Sequence, residues 1–498
     1  MAKPSRERRP NIIFMLPDQL RADFLGCYGA SFAKTPRLDQ LAEAGTKYRD
    51  AVAPSPVCVP ARAALLSGVN GLRSGVLDNA HWLRPDHDSV GPKGWPALLR
   101  EHGYHTAAIG KMHFYPWDAA EGFETRIIAE DKRHIHIQDD YARHLARYGL
   151  RKYHGSEHEG YHENKGAVLS NVTAEHQVDL WVAREARRYL NILAEQRQNQ
   201  PFAMMIGFPS PHCPYDPLPE YLDALADAEM PESIPRCEHS DAIVPRVVAS
   251  NKRPWNGVDY SVFSEAQKQT VRRHYSALVS QVDDAVGIVL DALSELGMDE
   301  DTVIIFASDH GDYLGDFGLM GKYFFHQPSV HVPMMVYDPR SARGTEQTAP
   351  VSLTDIYATI LSLAGVEQCE TPDSRVLGGE LQAGRGILGM TNRGTMYRRG
   401  KWKLSRYETG ELHLFDLHED PNELQNRAHD PALRDLLHSL MQEMFAETLR
   451  SVADGHADKA VPEAAFPGMP VFNRPGWQRP YPVPGSLRTA PETRTQES

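Results

Sequence analysis

The chain has 498 residues, 41% hydrophobic and 24% charged, a composition that supports a sizeable core and excludes wholesale disorder. A formal net charge of −13 excludes the basic footprint of a general nucleic-acid binder, although a local cluster of Lys, Arg and metal can reverse the potential inside one cleft. No apolar run approaches the ~18 residues that span a bilayer, and five scattered cysteines without a CxxC pair form neither a disulfide framework nor a zinc motif, so the expectation is a reduced, cytoplasmic chain with no membrane or nucleic-acid partner.

After a basic tail, Met1 to Pro10, the run Ile12 to Leu16 reads as a buried strand; Pro17 and Asp18 break it too early for a signal-peptide core. A helical stretch, Trp95 to His102, precedes a second strand, Thr106 to Ile109. Residues 130–170, rich in His, Tyr and Glu without a period, read as a surface insertion near the cleft. Phe202 to Phe208 and Thr302 to Ala307 are further strands, each after a long helix. In the second helix Val271, Tyr275, Leu278, Val282, Val286, Val289, Leu293 and Leu296 recur at steps of three and four, and Gly297 stops it.

Strands alternating with helices predict an α/β domain over 11–394, a large mixed, mostly parallel sheet sandwiched by helices. From about residue 395 the pattern changes. Lys401 to Leu404 and Glu411 to Phe415 alternate like antiparallel strands, and Pro431 to Leu449 reads as one amphipathic helix. This predicts a small C-terminal α+β domain over 395–466. The Pro- and Arg-rich stretch 467–498 reads as a disordered tail or an arm embracing a neighbouring subunit, the one hint of a homo-oligomer.

Polar motifs cluster just after the predicted strands, where ligands collect in such sheets. Asp18-Gln19 follows the first strand, Gly110-Lys111-Met112-His113 the second, Pro211-His212-Cys213-Pro214-Tyr215 the third, and Ser308-Asp309-His310-Gly311-Asp312 the fourth. Gly321-Lys322 lies in the loop beyond. An Asp-His pair at a strand's carboxyl end suits a divalent metal, although a helix cap and a loop His would look the same. The sixth set is Cys58-Val-Pro60-Ala-Arg62-Ala-Ala-Leu-Leu-Ser67-Gly68; on its own, Cys58 is also read as a small buried hydrophobe. Singly, each set fits a structural role. Six at one edge of one sheet do not.

Cys58-Val-Pro60-Ala-Arg62 resembles the C-x-P-x-R signature of type I sulfatases of the alkaline-phosphatase superfamily. The other strings fall in that family's order, and Lys401 to Leu404 with Leu414 to Glu423 resembles its second-domain sheet. The resemblance covers about residues 10 to 450 and implies the alkaline-phosphatase-like fold. It implies that a formylglycine-generating enzyme oxidises Cys58 to Cα-formylglycine, whose hydrate attacks a sulfate monoester. A serine in that place would leave an inert half-ester; the second hydroxyl of a hydrate can expel sulfate instead.

The resemblance also implies roles. Asp18, Gln19, Asp309 and His310, with an oxygen on residue 58, would hold one divalent ion. Gln19 and His310 resemble the subgroup containing choline sulfatases and phosphonate monoester hydrolases, which brings Mn²⁺ close behind Ca²⁺. Arg62 and Lys111 would hold the hydrate and its neighbours, His113 would be the base that triggers hemiacetal collapse, and His212 and Lys322 would attend the departing oxygen. Asn79 matches a sulfate-contacting position. Trp82, Phe114, Tyr115 and Trp117 are candidate pocket walls.

Two alternatives stand beside the sulfatase. A phosphonate monoester or phosphodiester hydrolase would use the same site, though such relatives lack the equivalents of Lys111 and His113. An inactive metal-binding module would keep Cys58 as a thiol.

Overall fold

Four apolar runs become the centre of a mixed sheet because they are buried on both faces. The structure, a computed structural model, describes residues 9–196, 200–341, 343–378 and 384–456. Its strands are β1 (Asn11–Asp18), β2 (Thr46–Tyr48), β3 (Ala51–Val52), β4 (His105–Gly110), β5 (Thr125–Ile128), β6 (Phe202–Pro211), β7 (Thr302–Ala307), β8 (His331–Val332), β9 (Met334–Tyr337), β10 (Thr345–Gln347), β11 (Val351–Ser352), β12 (Gly386–Thr391), β13 (Gly394–Arg399), β14 (Trp402–Tyr407) and β15 (Leu412–Asp416).

The main sheet runs β10-β2-β9-β7-β1-β6-β4-β5. All its pairings are parallel except those of β9 with β2 and β7. Along β1, Ile13 and Met15 face one core while Ile12, Phe14 and Leu16 face the other, and β7 splits the same way. A strand covered on both sides reads as an unbroken apolar run, as the sequence does here. One face is covered by the helices Val178–Gln196 and Glu265–Glu295, the other by Cys58–Ser67, Trp95–Glu101 and Asp355–Leu363. Gly297 does end the long helix region, at φ +63°.

The antiparallel sheet β12-β13-β14-β15 starts at Gly386, ahead of the change in texture near 395, and the helix Arg434–Asp454 covers it. The described residues as far as Gly455 form one compact unit, small sheet included. The segment 130–170 is only partly at the surface. Asp131, Tyr141, Leu145, Tyr161 and Val168 are buried, the last four within the main core. The tail 467–498 lies outside the described residues. Among the described residues no helix is long and apolar enough to cross a membrane, and the five cysteines are free.

Two glycines position the strand ends. A Cβ on Gly110 would lie 2.1 Å from the Gly207 carbonyl oxygen, and one on Gly207 would lie 1.9 Å from that of Lys111. Only bare backbones let β4 and β6 close up at the point where Lys111 and His113 leave the sheet.

Candidate active site

The helix Cys58–Ser67 is buried at all ten positions, so Val59, Ala63, Leu65 and Leu66 pack while Cys58 and Arg62 face the polar edge of the sheet. Cys58 is its first residue, where the helix dipole favours negative charge. The side-chain oxygen of Asn79 accepts the Val59 N–H at 3.0 Å, so Asn79 caps this helix and keeps only its NH2 for another partner.

Six polar sets meet around the Cys58 sulfur. Lys322 Nζ stands 2.9 Å from it and His310 Nε2 3.2 Å. Lys322 further reaches Gln19 Oε1 at 2.8 Å and His212 Nε2 at 3.0 Å. Asp18, Cys58, Asp309 and His310 each offer a donor atom, all within 4.8 Å of one another and all buried. Arg62 binds Asp309 at 2.9 Å, Asp18 at 3.2 Å and the Lys111 carbonyl at 2.9 Å. Lys111 Nζ lies 2.7 Å from Asp18 and 2.9 Å from Asp131. Both cations therefore hold the neighbours of Cys58.

The charges set the protonation states. Burial pushes the Cys58 thiol up, but the Lys322 and His310 charges beside it hold it well below the ordinary thiol range. Burial and Cys58 raise Asp18, yet the Lys111 and Arg62 cations outweigh them and keep it ionised. Burial and the like charge of Asp18 raise Asp309. That repulsion between two buried carboxylates is what a bound cation relieves, and an imidazole and an amide oxygen complete a donor set that fits a hard divalent ion. Burial, followed by Lys322 and Arg133, pushes His212 down to about 3, so its ring is neutral.

Local strain accompanies these positions. Gln19, His113 and Tyr323 sit at φ +71°, +59° and +92°, uncommon for residues with a side chain and held by the surroundings. His113 Nδ1 is buried without a partner among the described residues, an atom left to meet a bound group.

Several residues at the site were missed by sequence reasoning. Asp131 joins Lys111 to Arg133, whose Nη2 is 2.9 Å from Asp131 and 3.4 Å from His212 Nε2. Glu130 accepts the His113 N–H at 3.0 Å. Asp312 was seen only as the end of a motif; it accepts Tyr215 Oη at 2.7 Å and a side-chain N–H of Gln19. The expected pocket walls do not line the cavity above Lys322. Phe114 packs under Trp82 and Phe123, while Trp255, Tyr260 and Tyr323 form that wall. Tyr115 stands beside His113, with ring centroids 5.9 Å apart.

Residues 10–366 match the family model described as Sulfatase. The chain is similar to a choline-sulfatase of Rhizobium meliloti, 30% identical over 85% of this chain and 83% of that one. It is also similar to an arylsulfatase of Clostridium perfringens, 25% identical over 90% and 96% of the two chains. The crystal structure of a phosphonate monoester hydrolase of Agrobacterium radiobacter shares the fold at TM-score 0.75, with 22% identity, covering 89% of this chain and 96% of that one.

Proposed function

The chain belongs to the sulfatase family and is a sulfuric ester hydrolase, and from that premise we propose that Cys58, converted to formylglycine, is the residue that attacks sulfur. The observation that carries this is the convergence of Lys322 and His310 on one sulfur at a helix N-terminus, beside two buried carboxylates. As an aldehyde hydrate, position 58 would offer one hydroxyl for attack and a second whose deprotonation releases sulfate by C–O cleavage. A divalent ion held by Asp18, Gln19, Asp309 and His310 would supply positive charge to offset the meeting of two anions. The oxygen-rich donors favour Ca²⁺, with Mn²⁺ the rival admitted by His310.

The chain's own residues do the rest. Arg62 and Lys111 act as positioning residues, fixing Asp18 and Asp309 with charge-assisted hydrogen bonds. Lys322 carries the proton toward the departing ester oxygen, because neutral His212 accepts from it at 3.0 Å and orients it. His113, whose buried Nδ1 has no partner among the described residues, takes the proton from the remaining hydroxyl. The Asn79 NH2, aimed by its oxygen's bond to Val59, is the candidate sulfate contact.

Intact-mass analysis of the Cys58 peptide tests this, after expression with a formylglycine-generating enzyme. A loss of about 18 Da with release of sulfate from an aryl sulfate is expected. An unmodified thiol in a protein that turns over fully refutes it. A phosphonate ester in the same panel should be the poorer substrate, since Lys111 and His113 are both present.

A further inference from the structure

A cavity of about 630 Å³ opens over Lys322 and His212, within the usual size for small-molecule sites and large enough for an aryl or monosaccharide group beyond the sulfate. Trp255 and Tyr323 give it flat apolar surface. Its rim carries Arg246, Arg253 and Arg393 against two acids, Asp78 and Glu408. That is a local surplus of positive charge on a chain of net charge −13.

The two acids are already engaged. Glu408 lies 2.7 Å from Arg393 and 3.8 Å from Arg246. Asp78 accepts the Asn79 N–H at 2.5 Å and a side-chain N–H of Asn392. Arg253 is exposed and has no acidic partner among the described residues. A quaternary ammonium group would need the opposite arrangement, open aromatic faces and free carboxylates. Here the Arg133 guanidinium already stands over the Trp255 ring, 5.5 Å from its centroid.

We propose that the alcohol half of the substrate bears a second anionic group, a carboxylate or another sulfate, that pairs with Arg253 while its ring packs on Tyr323 and on the side of Trp255 away from Arg133. This rests on the sulfatase reading and narrows it. Arg246 and Arg393 strengthen the field at the rim, and a cationic alcohol such as choline is disfavoured.

The test uses the full chain with formylglycine at position 58 and four phenyl sulfates. Each carries a meta substituent through a methylene, which limits differences in phenol acidity: carboxylate, sulfate, carboxamide or trimethylammonium. Release of the phenol is followed, so that only the aryl ester is read. The expected result is a kcat/KM for one or both anionic esters about tenfold or more above the carboxamide, mostly through KM and shrinking with salt. Arg253→Ala should abolish this preference and Arg253→Lys should keep part of it, each read as the ratio of the anionic ester to the carboxamide in the same variant. The carboxylate and sulfate arms identify the anion. Equal rates for all four esters, a preference for trimethylammonium, or an anion preference surviving Arg253→Ala overturns the proposal alone. Release of sulfate from none of the four, by protein carrying the aldehyde, overturns the sulfatase reading together with it.

Discussion

Replacing Asp131 by Asn removes one charge from the framework and almost no volume. The Asp131 carboxylate, 1% exposed, lies 2.9 Å from Lys111 Nζ, 2.9 Å from Arg133 Nη2 and 3.0 Å from Arg133 Nε. Burial raises its carboxyl, but Arg133 and Lys111 overcome this and hold it well below the usual range, so it is an anion at neutral pH. An amide would turn an N–H toward one of two buried cations. Breaking a buried ion pair from one side costs about 3–5 kcal/mol. Lys111 keeps Asp18 at 2.7 Å, so the lower end, about 3 kcal/mol, is expected. Lys111 should then draw harder on Asp18, and metal affinity and kcat/KM should fall about 10–100-fold, as for loss of an outer-shell partner. Urea unfolding gives the first quantity, and metal titration with steady-state kinetics the second. A variant within ~0.5 kcal/mol of the parent and with unchanged kcat/KM would refute the reasoning.

Cys58→Ala should abolish turnover while leaving the unfolding midpoint close to that of the parent; sulfate release at a substantial rate would remove residue 58 from the chemistry. Chelation should lower the melting temperature and restored divalent ion should recover it, with a gain of ~2.7 kcal/mol at a hundredfold excess over Kd; a melting curve indifferent to chelator argues against the metal assignment. His239, His326 and His413 pack together, with ring centroids 5.1–6.0 Å apart. Burial, then His239 and Lys403, pushes His413 down to about 3, and His326 is held well below its ordinary value of 6.5. The unfolded chain therefore binds more protons than the fold below pH ~6.5, and stability should drop as pH falls through that window by up to ~1.4 kcal/mol per unit for each histidine. Urea midpoints at neutral and mildly acidic pH should show this slope and His413→Gln should flatten it; equal slopes would disprove it. Gly110→Ala, whose Cβ meets the Gly207 carbonyl at 2.1 Å, should yield little folded protein, and a normal soluble yield would contradict the close approach described.

Much of this was legible in the chain, for a physical reason. Strands buried on both faces leave continuous apolar runs, so Thr302 to Ala307 was bounded correctly and Ile12 to Leu16 fell inside β1. The motifs behind those runs had to gather, because parallel strands bring their carboxyl ends to one edge. Asp131 escaped because β5 is a four-residue edge strand with three half-buried positions, too short to show a pattern. Its neighbours Glu130 and Arg133 were the available signal. The small sheet was placed late because Gly386 and Gly389 blur the alternation of β12. Arg253 and Trp255 follow the short helix Val244–Asn251 in irregular chain, where periodicity says nothing.

The rim of the cavity is built from separate parts of the chain. Arg246 and Arg253 come from the helix Val244–Asn251 and the chain just after it, whereas Asn392 and Arg393 form the turn between β12 and β13. The groups around the Cys58 sulfur belong to neither. An engineer can therefore graft a different mouth onto the enzyme by rewriting two short peptides around a retained Trp255, which supports Arg133, leaving the reaction machinery beneath to run at its native settings.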